Sequence, residues 1–235
     1  MNAINEGRDQ HFSSDGNLMT TTTEDFSKVA EEIKKHVRKV FHDIISTRHK
    51  YHNLAHTEGV VEAAAKIANH YKLSEQELFI LDAAAWFHDI GYFTVIENHE
   101  EKGAAQAESF LREKGVDEEI ITKVKNCILA TRMPQQPANL LEQILCDADL
   151  FHLGTDQFIT NNKAVRKEIE ELTGYKIKKK IWRGQSIELL EQHHFFTDYC
   201  NQLLEEKQQE NLNLLKEKMA VKKNHKEDDD LKKKL

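Results

Sequence analysis

Two histidines and two aspartates of this chain have the chemistry of a metal-binding site. His88 and Asp89 are adjacent and close the apolar run Ala83–Phe87. His56 lies upstream of this pair and Asp149 lies downstream of it. Imidazole nitrogen combined with carboxylate oxygen suits a divalent first-row cation better than soft copper(I). If the four side chains meet in space, they predict a metal site that acts on phosphates.

The adjacency of His88 and Asp89 restricts where that site can form. Neighbours inside a helix point about 100° apart, so two adjacent side chains share one ion only where the backbone departs from regular helix. Gly91 predicts such a helix end just after the pair. We therefore expect the pair at the end of a helix, with the apolar residues before it packed inward.

Helices are the elements that must carry these residues. The chain has only two prolines and nine glycines, and no segment alternates as a half-buried strand does. Ser74 and Glu77 form a potential capping box for the helix that leads to His88. The apolar spacing predicts an all-α fold, with helices over 24–45, 57–71, 74–89, 100–114, 117–130, 139–152, 155–172 and 186–220.

We predict one helical domain with polar extensions. Residues 1–22 are polar and are expected to be a disordered N-terminal segment, residues 23–218 form the domain, and residues 219–235 form a charged flexible tail. The basic segment 176–182 could form a short helix, an extended lid or a solvated loop. Runs of charged residues are usually solvated, which favours the loop.

Composition excludes several classes of function. The formal net charge is −7, whereas proteins that bind nucleic acids usually carry a basic surface. We therefore expect no nucleic-acid partner. The chain has three cysteines, an odd number, and none of them forms a CxxC pair, so a disulfide framework is not expected. This favours a reducing compartment. No stretch is long and apolar enough to span a bilayer, and the first residues lack an apolar signal core. These features predict a cytoplasmic protein.

Three strings in order along the chain resemble a known family. They are Tyr51-His52-Asn53 followed by His56, the apolar run ending in His88-Asp89 with Gly91 after it, and Asp147-Ala148-Asp149-Leu150. Together they resemble the HD-domain superfamily of metal-dependent phosphohydrolases over about residues 30 to 160. The resemblance implies an HD-type helical bundle with a metal site in its central cleft. The implied ligands of the divalent ion are His56, His88, Asp89 and Asp149, and manganese, iron, nickel, zinc and magnesium all stay open.

The resemblance also suggests roles for residues beside the ligands. Either aspartate of the Asp147–Asp149 string could ligate, and Asp149 fits the family pattern better, which leaves Asp147 as a supporting or helix-capping residue. His52 resembles the histidine that protonates the leaving oxygen in cyclic-nucleotide phosphodiesterases. The competing interpretation is that His52 bonds a carboxylate and orients its loop. Asp89 could orient the nucleophile while it ligates.

A second metal is less well supported by the residues. His99 matches a position that binds a second ion in many family members, and Glu100 follows it. Another histidine often occurs where this chain has Ala130-Thr131-Arg132. We therefore expect one tightly bound metal with His99 and Glu100 nearby. Arg132 is either a ligand of a substrate phosphate, as guanidinium groups often are, or a surface arginine.

Two classes of function follow from this resemblance. The first is a metal-dependent phosphohydrolase or phosphodiesterase that hydrolyses a phosphate ester, with a nucleotide or cyclic nucleotide as the implied substrate. The second is a nucleotide-sensing regulatory module with little or no turnover. A metal-free helical scaffold is a weaker third. Segments 127–135, 144–150 and 193–200 also resemble the HD region of bacterial antiphage effectors of the pyrimidine-cyclase (Pycsar) type, in which that region precedes a membrane-spanning module. The sequence leaves a homo-oligomer open.

Overall fold

The structure is a computed structural model that describes residues 23–43, 49–93 and 97–232. This described part is all helix, turn and loop, which confirms the predicted all-α class. Its α-helices are α1 (Thr23–Asp43), α2 (Leu54–Ala68), α3 (Glu75–Phe87), α4 (His99–Glu113), α5 (Glu118–Ala130), α6 (Leu140–Asp149), α7 (Phe158–Thr173), α8 (Lys179–Gln192) and α9 (Asp198–Lys232). Two short 3-10 helices, Ile90–Phe93 and Phe151–Gly154, follow α3 and α6.

Capping side chains mark the starts of α2, α3, α5 and α6, although α2 begins at Leu54 and not at the predicted residue 57. Ser74 accepts the backbone N–H of Glu77, and Glu77 accepts the backbone N–H of Ser74, so the predicted capping box is present at α3. Asn53, Asp117 and Asn139 accept backbone N–H groups at the starts of α2, α5 and α6 in the same way. Each cap satisfies backbone donors that a helix start leaves without a partner.

Helix α3 lies at the centre of the molecule and packs against α1, α2, α4, α5 and α6. Every residue of its last turn and a half, Ala83–Phe87, is buried. A helix that is apolar on all sides must be surrounded by other elements. The C-terminal end of α3 is therefore packed against other helices on every side. His88 and Asp89 follow directly after this end.

A close contact between the end of α3 and α4 fixes the geometry beyond that point. A Cβ on Gly103 would lie 2.7 Å from the carbonyl oxygen of Phe87, and a Cβ on Gly91 would lie 2.1 Å from the carbonyl oxygen of His99. The role predicted for Gly91 is therefore wrong. It lies inside the 3-10 helix and has no positive φ, and its small size lets the first turn of α4 approach.

The single helix predicted over 186–220 is broken in the structure. Helix α8 ends at Gln192, and α9 begins at Asp198. Asp147 accepts the backbone N–H groups of Phe196 (2.8 Å) and Thr197 (2.9 Å) and the hydroxyl of Thr197 (2.6 Å). This buried carboxylate fixes the chain in a non-helical turn, which local helix propensity does not reveal.

The other segment predictions have mixed outcomes. Residues 179–182 of the basic segment start α8, while residues 176–178 are not helical. Helix α9 extends to Lys232, into the segment predicted as a flexible tail, and the domain boundaries 23 and 218 remain a prediction. Residues 1–22 lie outside the described residues. In the described ranges, no helix has the length and apolar character needed to cross a bilayer.

Candidate metal centre

Four predicted ligand atoms converge in the structure. His56 Nε2 lies 3.4 Å from His88 Nε2, 3.2 Å from Asp89 Oδ2 and 3.3 Å from Asp149 Oδ1. His88 Nε2 lies 3.2 Å from Asp89 Oδ2 and 3.7 Å from Asp149 Oδ1. Donor atoms about 2.1 Å from one cation lie roughly 3.0–3.4 Å apart in octahedral or tetrahedral arrangements. The observed spacing is therefore close to what one divalent cation requires.

Each of these side chains is positioned by the end of a helix. His56 lies in the first turn of α2, and its backbone N–H donates to the capping Asn53. His88 caps the C-terminus of α3, and Asp89 follows where the helix has ended. Asp149 is the last residue of α6. The departure from helix after Phe87 lets two adjacent side chains contribute to one site.

The orientation of His88 leaves one nitrogen for the site. His88 is fully buried, and its Nδ1 lies 2.8 Å from the carbonyl oxygen of Ala85. A carbonyl only accepts, so Nδ1 carries a proton and donates it there. In a neutral imidazole, Nε2 then has a free lone pair directed away from that bond, as in a metal-ligating histidine.

The residues present fit a divalent cation. Asp89 Oδ2 is buried and lacks a hydrogen-bond partner within the described part of the chain. Its nearest polar neighbours include the Nε2 atoms of His56 and His88, both at 3.2 Å. A buried carboxylate oxygen without a donor is costly unless a positive charge accompanies it. A cation bound by these atoms would supply that charge.

Charge coupling dominates the titration of this cluster. Burial lowers the pKa of His56, but the nearby carboxylates of Asp149 and Asp89 outweigh it and raise the pKa to about 10. Burial would raise the pKa of Asp89, yet the neighbouring histidines hold it well below its ordinary value. Without a metal, protons on the imidazoles compensate the two carboxylates, and a cation would replace those protons.

The structure separates Asp147 from Asp149. Asp149 contributes an oxygen to the cluster, whereas Asp147 faces the turn before α9 and is satisfied there by Phe196 and Thr197. The geometry favours Asp149 as the ligand and gives Asp147 the capping position that the sequence left open.

His99 and Glu100 lie beside the cluster, as the sequence suggested. His99 Nε2 is 3.4 Å from Asp89 Oδ1 and 3.6 Å from Glu100 Oε1. Arg132 lies behind Glu100, with its Nε 3.7 Å from Glu100 Oε2 and a terminal nitrogen 2.9 Å from Glu101 Oε1. Arg132 is thus engaged with two carboxylates, which weakens its proposed use for a substrate phosphate.

His52 is held by a carboxylate that the sequence did not identify. Nδ1 of His52 forms a short ion-pair contact with Glu168 of α7, and Glu168 also accepts the backbone N–H groups of Tyr51 (2.8 Å) and His52 (3.0 Å). Burial alone would raise the pKa of Glu168, but these hydrogen bonds lower it. Tyr92 stacks on the His52 ring with centroids 3.9 Å apart. Glu168 is fully buried, although its sequence context resembles that of an exposed helical glutamate.

Comparison with known proteins finds one matching family model and two similar structures. Residues 53–154 match the HD domain family model. A predicted HD superfamily hydrolase from an uncultured Thermotogales bacterium is similar in structure, with 23% identity, a TM-score of 0.54, and coverage of 81% of this chain and 91% of that chain. A protein from Lactobacillus plantarum is also similar, with 16% identity, a TM-score of 0.61, and coverage of 87% and 100%. No curated protein matches the chain.

Proposed function

We propose that this chain, which carries an HD domain over residues 53–154, is a metal-dependent phosphohydrolase. The substrate would be a phosphate ester, with a nucleotide or cyclic nucleotide as the class that the resemblance implies. The observation that carries the proposal is the cluster of His56, His88, Asp89 and Asp149 around the buried, unsatisfied oxygen of Asp89. Fold alone does not settle function, so the proposal rests on this site.

The ligand residues have two functions in this account. His56, His88, Asp89 and Asp149 would hold a divalent cation, which when bound supplies Lewis acidity that activates water and neutralises phosphoryl charge. Asp89 and Asp149 line one cavity together with His52, so an ester bound there would lie beside two of the ligand residues. Water attacks phosphorus, and the bond between phosphorus and the ester oxygen breaks.

The leaving oxygen must receive a proton, and we assign that transfer to His52. Glu168 accepts the Nδ1–H of the imidazole, so the proton for transfer would be carried on Nε2 by the imidazolium form of His52. His52 and Asp89 line the same cavity, so the donor is near the cluster. Glu168 is a positioning residue because it acts through His52. The sequence offered two interpretations of His52, as a general acid and as a residue that bonds a carboxylate. In this proposal both hold, because the carboxylate of Glu168 orients the imidazole that acts as the acid.

A regulatory module is the second candidate, and one connection favours it. Helix α9 packs against the 3-10 helix Phe151–Gly154, which directly follows Asp149. Asn211 of α9 donates to the carbonyl oxygens of Leu153 and Thr155, both at 3.0 Å. A shift of the site residues on ligand binding could therefore reach α9 through a short packed path.

A metal-reconstitution screen tests the proposed function. The protein is stripped with a chelator, reloaded with manganese, iron, nickel, zinc or magnesium, and assayed against phosphate monoesters and cyclic nucleotides. We expect hydrolysis with at least one metal, and a loss of about 100-fold or more in His88→Ala. Asn126→Ala, an exposed change on α5, is the control. Equal turnover in His88→Ala and wild type would refute this site as the catalyst, and nucleotide binding without any turnover would support the sensor.

A further inference from the structure

One cavity joins the metal cluster to helices that lie outside the HD domain match. The cavity has a volume of about 360 Å³, within the usual range of small-molecule sites. At one end it is lined by Asp89, Asp149 and His52, and at the other by side chains of α7 and α8. The second end has no part in holding a metal, so it is free to contact the rest of a substrate.

A fixed hydrogen-bond network forms that second end. The indole Nε1 of Trp182 donates to Oδ1 of Asn162 at 2.7 Å and to the backbone carbonyl oxygen of Asn162 at 3.2 Å. The hydroxyl of the buried Ser186 lies 2.8 Å from the carbonyl oxygen of Trp182 and 3.1 Å from Oδ1 of Asn162, and its one proton can serve either acceptor. Because indole nitrogen can only donate, the amide oxygen of Asn162 must face Trp182. The amide nitrogen of Asn162 is therefore its remaining polar group and presents two N–H donors.

The surroundings of this network are flat and apolar. Trp182 supplies an aromatic surface whose ring is held by its own hydrogen bond, and Phe158, Val165 and Leu189 line the cavity beside it. Apolar and aromatic walls with a few fixed polar groups favour a planar ligand that carries hydrogen-bond acceptors.

The charge of the cavity limits the number of phosphates. None of the described residues that line it is lysine or arginine, while Asp89, Asp149 and Glu100 are acidic. A single phosphoryl group beside the cluster would be neutralised by a cation there. A second or third phosphate would bring further negative charge beside these carboxylates without a described lysine or arginine to pair with it, which is unfavourable.

We propose that Asn162, Trp182 and Ser186 form a binding subsite for the organic half of the substrate, and that this half is an uncharged planar heterocycle attached to a single phosphate. The inference rests on the proposed phosphohydrolase function for the phosphate end only. Nucleoside monophosphates satisfy this chemistry, and nucleoside triphosphates do not.

Direct binding tests the subsite without turnover. Chelator-treated protein is titrated with adenosine, inosine, cytidine and uridine in a calorimeter. We expect at least one nucleoside to bind, and Asn162→Asp to raise its Kd about 10-fold, because the variant keeps the acceptor for Trp182 and Ser186 but loses the N–H donors. Asn161→Asp makes the same charge change beside a different cavity and should change Kd less than 2-fold. Absence of nucleoside binding, or equal effects of the two variants, would overturn the subsite.

Activity separates this subsite from the proposed function. With metal restored, we expect kcat/KM for a nucleoside monophosphate to exceed that for its triphosphate at least 10-fold. Asn162→Asp should raise KM for the monophosphate about 10-fold, whereas the control Asn161→Asp should leave it within 2-fold of wild type. Comparable turnover of mono- and triphosphates would refute the subsite. Nucleoside binding that responds to Asn162→Asp, without hydrolysis of any ester, would refute the phosphohydrolase and retain the subsite.

Discussion

Two nearby histidines, His52 and His56, have different partners and different proposed roles. His52 and His56 are four positions apart, yet His56 faces two carboxylates of the cluster while His52 is bound to Glu168. The types of both residues were evident in the sequence, whereas the buried partner of His52 was not. Glu168 lies in Glu168-Ile169-Glu170-Glu171, which has the pattern of a solvated helix face, and only tertiary packing buries it.

The acid role of His52 predicts a dependence on the leaving group. A poor leaving group such as an alkoxide needs protonation, while 4-nitrophenolate leaves without it. We expect His52→Gln to lower kcat about 10²–10⁴-fold for an alkyl phosphate and by less than about 10-fold for 4-nitrophenyl phosphate. Steady-state kinetics on the two esters measure this difference. An equal loss on both substrates would assign His52 to structure instead of proton transfer.

The protonation of His56 predicts proton release on metal binding. Burial opposes the charge on His56, but Asp149 and Asp89 raise its pKa to about 10, so the metal-free protein holds this proton at pH 7. Because the folded pKa exceeds the ordinary value of 6.5, the resulting stabilisation is complete below pH 6.5 and is lost as the pH rises through about 10.

A ligating imidazole has lost its proton, so cation binding at pH 7 should release at least one. Calorimetric titration of the metal in buffers of different ionisation enthalpy measures the number released. A binding enthalpy that is the same in every buffer would contradict the protonated state of the metal-free cluster.

At the scale of helices, the close approach of α3 and α4 is what brings His99 beside Asp89. We expect Gly103→Ala to destabilise the protein by about 1–3 kcal/mol, because the added Cβ would lie 2.7 Å from the carbonyl oxygen of Phe87 and 3.0 Å from that of His88. Gly184→Ala in α8 is a matched control, since its Cβ would meet nothing within 4 Å.

The control should raise stability by up to about 1 kcal/mol, because alanine favours a helix over glycine. Urea unfolding of both variants measures the two effects. Equal stabilities of the two alanine variants would show that α3 and α4 are not in the close contact described here.

The position of a helix could be predicted where the residues that specify it lie close together in the sequence. The caps at Ser74 and Asn139 and the apolar spacing around them specify where α3 and α6 begin. The interruption between α8 and α9 was missed because its cause is Asp147, about fifty residues earlier in the chain. The structural role of Gly91 was also missed, since it depends on the approach of α4.

Over the molecule as a unit, two half-buried histidines, His152 and His193, make the stability of the fold depend on pH. Burial lowers the pKa of His152 and of His193 to about 4 in each case. The unfolded chain takes up protons near the ordinary value of 6.5, while the folded protein resists them until about pH 4. The stabilisation that these neutral imidazoles provide is therefore present above pH 6.5 and is lost as the pH falls toward 4.

We expect the urea midpoint to fall between pH 7 and pH 5 and to fall less in His193→Leu than in wild type. His194→Leu, the same change at an exposed neighbouring histidine, should keep the wild-type dependence. A His193→Leu protein with the same pH dependence as wild type would contradict the neutral state of the half-buried His193.

The metal content of the protein shows whether His56, His88, Asp89 and Asp149 hold one divalent cation. Elemental analysis is applied to purified wild type, Asp149→Asn and the matched variant Asp147→Asn after equilibration with one divalent metal. The account predicts about one ion per chain in wild type and in Asp147→Asn, whose carboxylate faces Thr197, and loss of the ion in Asp149→Asn, which removes a negatively charged oxygen from the cluster. Full occupancy in Asp149→Asn, or no metal in wild type, would contradict it.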